Sequence, residues 1–237
     1  MNDIAGNLAA VLQRLRAACV CSGRQPGTAA LVAVSKAFPA EAVAAAAAAG
    51  QRAFGENYVQ EALAKMDALA ALGLEWHFIG PIQANKTREL AARFDWVHGL
   101  DRLKLAERLS AQRPEELPVL NVCVQVNVSG EASKSGCARD EAAALCAAVA
   151  TLPRLRLRGL MAIPAANATP EHARPDFRAL RELHRDIAAA GAVDAAAFDT
   201  LSMGMSADFE VALEEGATLV RVGSAIFGKR ESAKSNR

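Results

Sequence analysis

The chain has 237 residues, 52% of them apolar and 22% charged, with 27 basic against 26 acidic side chains. That length suits one α/β barrel, a unit of about 250 residues, and the balanced, dispersed charge excludes a sequence-independent grip on nucleic acid or an anionic membrane. The longest apolar run, Ala42 to Ala49, is too short to cross a bilayer, Asp3, Arg14 and Arg16 spoil a secretory signal, and five cysteines lack metal-ligand spacing, so a cytoplasmic protein with reduced thiols is expected.

Ile4, Leu8, Val11, Leu12 and Leu15 recur at helical spacing and predict an opening amphipathic helix that plugs or flanks the barrel. After the Gly23 to Gly27 stretch, Ala30 to Ser35 reads as a buried strand, and Pro39 opens an alanine-rich helix ending at Gly50. The same strand-then-helix unit recurs in Arg52 to Gly55 with Tyr58 to Ala71, Trp76 to Ile79 with Asn85 to Ala92, and Trp96 to His98 with Arg102 to Ser110. It recurs again in Leu120 to Val126 with Asp140 to Ala150, and in Leu155 to Ala162 with Arg174 to Ala190. Asp199 to Ser202 with Ala207 to Glu214, and Leu219 to Val222 with a short last helix, complete eight units. Eight short strands alternating with helices predict a single closed (β/α)8 TIM-type barrel over 1–230, with 231–237 a disordered tail.

Chemistry in such a barrel sits at the C-terminal ends of the strands. Strand one ends in Ser35-Lys36, strand two in Gly55-Glu56-Asn57, strand five in Gln125-Val126-Asn127, strand seven in Ser202 to Ser206, and strand eight in Arg221 to Ser224. Side chains alternate along a strand, so Val32, Val34 and Lys36 share a face. If that face is the interior, desolvation favours the neutral amine that condenses with an aldehyde; the plainer alternative is a strand-end lysine with its head in water. Arg221 stands in an apolar strand and needs an acceptor, which a carboxylate elsewhere in the chain would also satisfy. Gly223-Ser224 opens a helix, and Ser206 reads as the N-cap of the helix from Ala207, so two adjacent turns offer donors to a phosphate beside an interior arginine.

The segments Val34-Ser35-Lys36, Phe54-Gly55-Glu56-Asn57-Tyr58, Trp76-His77-Phe78-Ile79-Gly80, Lys134-Ser135-Gly136, Arg158-Gly159-Leu160-Met161, Ser202-Met203-Gly204-Met205-Ser206 and Val220-Arg221-Val222-Gly223-Ser224 occur in this order along the chain. In them the chain resembles the pyridoxal phosphate homeostasis protein family, whose fold is similar to the barrel domain of alanine racemase and to fold type III pyridoxal 5′-phosphate (PLP) proteins. The resemblance implies that Lys36 is the Schiff-base lysine and Asn57 lines the cofactor. It further implies that Ser206 with the Gly223-Ser224 backbone holds the phosphate and that Arg221 faces the pyridine nitrogen. Ser224 stands where relatives often have threonine, a change that keeps the hydroxyl. Arginine only donates hydrogen bonds, so a ring nitrogen facing it stays unprotonated and the ring is a weak electron sink.

The resemblance implies a monomeric protein that holds PLP, buffers or supplies it to apo-PLP enzymes, and influences vitamin B6 and amino-acid balance. The alternative is a PLP-dependent amino-acid racemase, which needs a second base opposite the lysine; the sole tyrosine, Tyr58, belongs to strand two. A Schiff-base aldolase would leave Arg221 and the two glycine turns unexplained. His77 is expected to be a hydrogen-bonded wall residue, and His98, His172 and His184 show no metal-ligand grouping, so no metal is expected. Trp76 and Trp96 are expected to pack in the core. Lys134, between two serines, is expected to be solvated, although the fifth strand end is near.

Overall fold

In a computed structural model describing residues 3–131, 134–164 and 169–228, eight parallel strands pair in chain order and close on themselves. They are β1 (Ala30–Val34), β2 (Ala53–Glu56), β3 (Glu75–Phe78), β4 (Trp96–Leu100), β5 (Leu120–Gln125), β6 (Leu155–Met161), β7 (Thr200–Ser202) and β8 (Leu219–Val222). The helices are α1 (Ile4–Cys21), α2 (Ala40–Ala48), α3 (Val59–Ala68), α4 (Thr87–Arg93), α5 (Leu103–Gln112), α6 (Ala142–Ala150), α7 (Pro170–Ala189), α8 (Phe209–Glu214) and α9 (Ser224–Phe227). Closure comes from β1 meeting β8, with Val32 beside Arg221 and Ala33 beside Val222. The predicted barrel is therefore the observed one, and the tail at 231–237 lies outside the described residues.

Strand alternation sorts the core into two layers. Leu31, Ala33 and Phe54 join the helices in one continuous apolar layer outside the sheet, where Phe54 packs on Trp76 with ring centroids 6.0 Å apart. Inside the barrel, Trp96, Cys123 and Met161 form a separate small cluster. Gly55 belongs to the interior, since a Cβ there would come within 2.9 Å of Val32 Cγ1 and 3.4 Å of Ile79 Cδ1.

The opening helix flanks the barrel: α1 buries Leu8, Val11, Leu15, Ala18 and Cys19 and packs on α2, α8 and α9. By length and mean hydropathy α1 could also cross a bilayer, but here Arg14 Nε donates to Glu210 Oε1 at 2.7 Å and Asn7 Nδ2 to the Ile226 carbonyl at 3.0 Å. Helices α4, α6 and α8 each begin two residues later than expected and α7 four residues earlier, and for α7 and α8 the local cause is visible. Pro170 occupies the first turn of α7 behind a Thr169 cap, and Pro175 is accommodated inside the helix, so α7 begins four residues before Arg174. α8 begins at Phe209 instead of Ala207, because the Asp208 carboxylate accepts the Met205 N–H at 2.6 Å and folds 206–208 into a turn.

Candidate cofactor pocket at the strand ends

A cavity of about 400 Å³ opens at the C-terminal mouth of the barrel, within the range of small-molecule sites. Lys36 and Asn57 line it from the ends of β1 and β2, Ser206 from the turn after β7, and Arg221, Gly223 and Ser224 from β8 and the start of α9. All six predicted site residues thus share one volume. Sequence reasoning missed its apolar wall, formed by Phe38, Ile79, Pro81, Ile163 and Met205. Ile79 and Ile163 follow β3 and β6, so strand-end position was the signal available for them.

The backbone on both sides of Lys36 is clamped from outside the barrel. Lys65, on α3, donates to the Ser35 carbonyl at 2.8 Å, to Glu56 Oε1 at 2.7 Å and to Glu61 Oε1 at 2.6 Å. Ser35 Oγ also donates to Glu56 Oε1 at 2.6 Å, and the Ala37 N–H donates to Glu61 Oε1 at 2.6 Å. Ala37 has φ 63°, a left-handed conformation that a residue with a Cβ adopts only at a cost, and the Glu61 contact holds it there. Lys36 itself is half-buried and faces the cavity. Burial pushes the Glu56 carboxyl above the usual carboxylate range, against the opposing hydrogen bonds from Lys65 and Ser35.

Arg221 is buried and, among the described residues, makes no ion pair. Its Nη1 donates to Ser202 Oγ at 2.6 Å and its Nη2 to the Ala162 carbonyl at 2.9 Å. Burial lowers its pKa to about 10, with Asp208 opposing the fall, so the group stays charged at neutral pH. The carboxylate partner that a buried arginine could have taken is replaced by a hydroxyl and a carbonyl.

The Ser206 expectation needs correction. It does not cap α8; the N-cap position is Asp208, and Ser206 Oγ instead accepts the Gly223 N–H at 3.2 Å. The two turns expected to offer separate donors are joined by that bond, and the first N–H groups of α9 come immediately after. Gly204, at φ +92°, allows the approach, since a Cβ there would lie 2.6 Å from Ala212 Cβ. Asn57 Oδ1 is buried in the pocket wall without a hydrogen-bond partner among the described residues, as expected of a group that a ligand satisfies.

Lys134 is less solvated than expected: it pairs with Glu131 at 3.1 Å and lines a smaller cavity that shares Ile79, Pro81 and Ile163 with the main one. Tyr58 is exposed and borders a neighbouring cavity instead of the main one. His77 and His98 lie buried inside the barrel, hydrogen-bonded as wall residues, and neither lines the pocket.

Residues 7–231 match the family described as alanine racemase, N-terminal domain. The chain is 58% identical over 231 residues to the pyridoxal phosphate homeostasis protein of Pseudomonas aeruginosa, covering 98% of this chain and 97% of that one. It is 53% identical to the protein of the same name from Escherichia coli K12, covering 99% and 100%. Among solved structures, PipY of Synechococcus elongatus with PLP bound superposes with a TM-score of 0.81 at 36% identity, covering 95% of this chain and 100% of that one. Alanine racemase from Corynebacterium glutamicum shares the fold, with a TM-score of 0.66 at 19% identity over 96% of this chain and 63% of that one.

Proposed function

The chain belongs to the pyridoxal phosphate homeostasis protein family, and we propose that it binds PLP on Lys36 and buffers or supplies it, without turning over an amino acid of its own. The observation that carries this reading is a single cavity bordered by an amine, a charged guanidinium and the Ser206–Gly223 turn. When bound, PLP supplies an aldehyde carbon for an amine to join.

The residues divide the work by chemistry. Lys36, held by the backbone clamp at Ser35 and Ala37, offers the amine. Ser206, Gly223 and Ser224 would hold the phosphate, with the Gly223 N–H fixing Ser206 Oγ and the Ser206 hydroxyl and the N–H groups that open α9 available as donors. Asn57, whose Oδ1 has no partner among the described residues, would accept from a ring substituent. Arg221, which lines the cavity and can only donate, would face the ring nitrogen and leave it unprotonated, which would weaken electron withdrawal.

Racemisation needs a second base across from the lysine, and apart from Lys36 and Arg221 no titratable side chain lines the cavity among the described residues. Free cysteines, four of them buried, fit action in the cytoplasm, and we take the protein to act there as a monomer with apo-PLP enzymes as recipients.

The test pairs two assays on the purified protein loaded with PLP. Borohydride reduction followed by peptide mapping should fix the cofactor on Lys36, and the loaded protein should reactivate an apo-PLP enzyme while a chiral assay finds no turnover of alanine, serine or glutamate. An adduct on a different lysine overturns the site, and Lys36-dependent turnover favours the racemase.

A further inference from the structure

Beneath the pocket, four buried or half-buried polar side chains continue the contact that Arg221 makes with Ser202. His98 Nδ1 lies 2.8 Å from Ser202 Oγ, His98 Nε2 lies 3.0 Å from His77 Nδ1, and His77 Nε2 lies 2.7 Å from Glu75 Oε1. Ser202, His98 and His77 are almost completely buried, whereas Glu75 opens β3 at the far end of the barrel and is half-exposed. The chain of contacts therefore runs from the cofactor mouth along the barrel interior to its opposite face.

Its polarity comes from what each end can do. Arg221 can only donate, so Ser202 Oγ accepts from it and has one hydrogen to give. Burial holds the His98 imidazole well below its ordinary pKa, and the neighbouring His77 and Arg221 act in the same direction, so His98 is neutral and carries one N–H. If that proton sat on Nδ1, it would point at Ser202 and leave the serine hydrogen without an acceptor in a dry interior. With the proton on Nε2, Ser202 donates to His98, His98 donates to His77 Nδ1, and His77 donates from Nε2 to the Glu75 carboxylate, an acceptor only. Every donor then has an acceptor, and all four links point the same way.

We propose that His98, His77 and Glu75 are positioning residues for Arg221: with Ser202 they form a one-directional hydrogen-bond relay that fixes how the guanidinium faces the cofactor pocket from a carboxylate on the opposite side of the barrel. Anchored at Nη1 by Ser202 and at Nη2 by the Ala162 carbonyl, Arg221 presents only its remaining N–H edge to the cavity. The relay keeps Ser202 an acceptor. Without it, the hydroxyl is free to rotate and the guanidinium loses its fixed orientation. Arg158 stacks over Trp96 and pairs with Asp199 close to Glu75, so the outer end is also surrounded by fixed charge. This inference rests on the proposed meeting of Arg221 with the PLP ring.

Two measurements test it. Long-range 1H–15N NMR of the PLP-free protein should show the ring proton on Nε2, with Nδ1 accepting, in both His77 and His98. Binding of PLP, followed by its visible absorption, should weaken about tenfold in His98→Phe, the loss of one hydrogen bond to a charged group, and shift the band. His98→Gln, which can accept from Ser202 and donate to His77, should recover most of the affinity. Glu75→Leu, at a half-exposed position that tolerates replacement, should move the His77 tautomer signals and shift the band in the same direction as His98→Phe. A protonated Nδ1 on His98 in the wild type overturns the relay, as does an unshifted band in both folded variants. If His98→Phe does not fold, Glu75→Leu and the wild-type tautomers decide. Failure of wild-type PLP to attach to Lys36 would instead overturn the proposed function, with the tautomers unaffected.

Discussion

Replacing Lys65 with methionine isolates the clamp behind Lys36. The ammonium has 5% side-chain exposure and the Glu56 carboxyl beside it has none. It donates to three acceptors, the Ser35 carbonyl, Glu56 and Glu61. Methionine keeps much of the volume and removes every donor, leaving the Glu56 carboxyl buried with, among the described residues, the Ser35 hydroxyl as its remaining donor and no partner for Oε2. Breaking a buried pair in this way costs about 3–5 kcal/mol, a large part of the ~5–15 kcal/mol that holds a domain together. Urea unfolding followed by circular dichroism should show a midpoint lowered by about 1 M or more, given slopes of ~1–3 kcal/mol per M.

The deficit should also depend on pH. The folded Glu56 carboxyl already titrates above its ordinary value because of burial, and Lys65 opposes that rise. A raised folded pKa contributes stability that is fully present below the unfolded value and lost as pH rises through the folded one. Losing Lys65 raises it further, so Lys65→Met should be least harmful below the ordinary carboxylate range and increasingly harmful toward neutrality. Adding Glu56→Gln removes the stranded charge and should recover part of the loss while flattening its pH dependence. A Lys65→Met variant within about 1 kcal/mol of wild type at neutral pH, or a deficit independent of pH, would refute this account of the clamp.

The phosphate role proposed for the Ser206–Gly223 turn makes a second expectation: pyridoxal, lacking the phosphate, should bind at least about tenfold more weakly than PLP, because it would forfeit hydrogen bonds from a serine and backbone N–H groups to a charged group. Equal dissociation constants in an absorbance titration would remove Ser206, Gly223 and Ser224 from that role. Gly204→Ala should cost about 2 kcal/mol or more, since its Cβ would press on Ala212 and on Phe209 Cα, 3.0 Å away, from a left-handed backbone. Thermal unfolding reads this directly, and an unchanged midpoint would mean that β7 and α8 separate without penalty.

The barrel was legible because each strand is a short apolar run followed by a helix, and because period-two alternation separates Val32, Val34 and Lys36 from Ser35. Lys36 and Arg221 could be read as inward-facing for the same reason. The clamp could not, because Glu61 and Lys65 stand at i,i+4 on a helix, a spacing that ordinarily marks a solvated pair; only tertiary packing turns it beneath β1. Ser206 looked like a helix cap because serine before an acidic turn commonly is one, and Asp208 two residues later took the local hydrogen bond instead. His77 and His98 could be read singly as wall residues, yet their pairing links β3 to β4, and the next contact, Ser202, is 104 residues further on.

The two buried networks divide between them the two functional side chains of the pocket. One reaches Lys36 from outside the sheet through Ser35 and Ala37, and the other reaches Arg221 from inside it through Ser202. Apart from Arg221 itself, the polar side chains that build the two networks stay off the cavity, since Glu56, Lys65, His98 and His77 all lie outside its lining. Burying such groups is costly, and hydrocarbon at the same positions would pack at least as well for stability alone. What hydrocarbon cannot do is hold an amine and a guanidinium in fixed directions across an open mouth before anything is bound, and that lowers the ordering cost of binding. Apart from Lys36 and Arg221, the cavity wall carries no titratable side chain among the described residues, so the two networks serve the two groups whose direction matters most to a bound molecule.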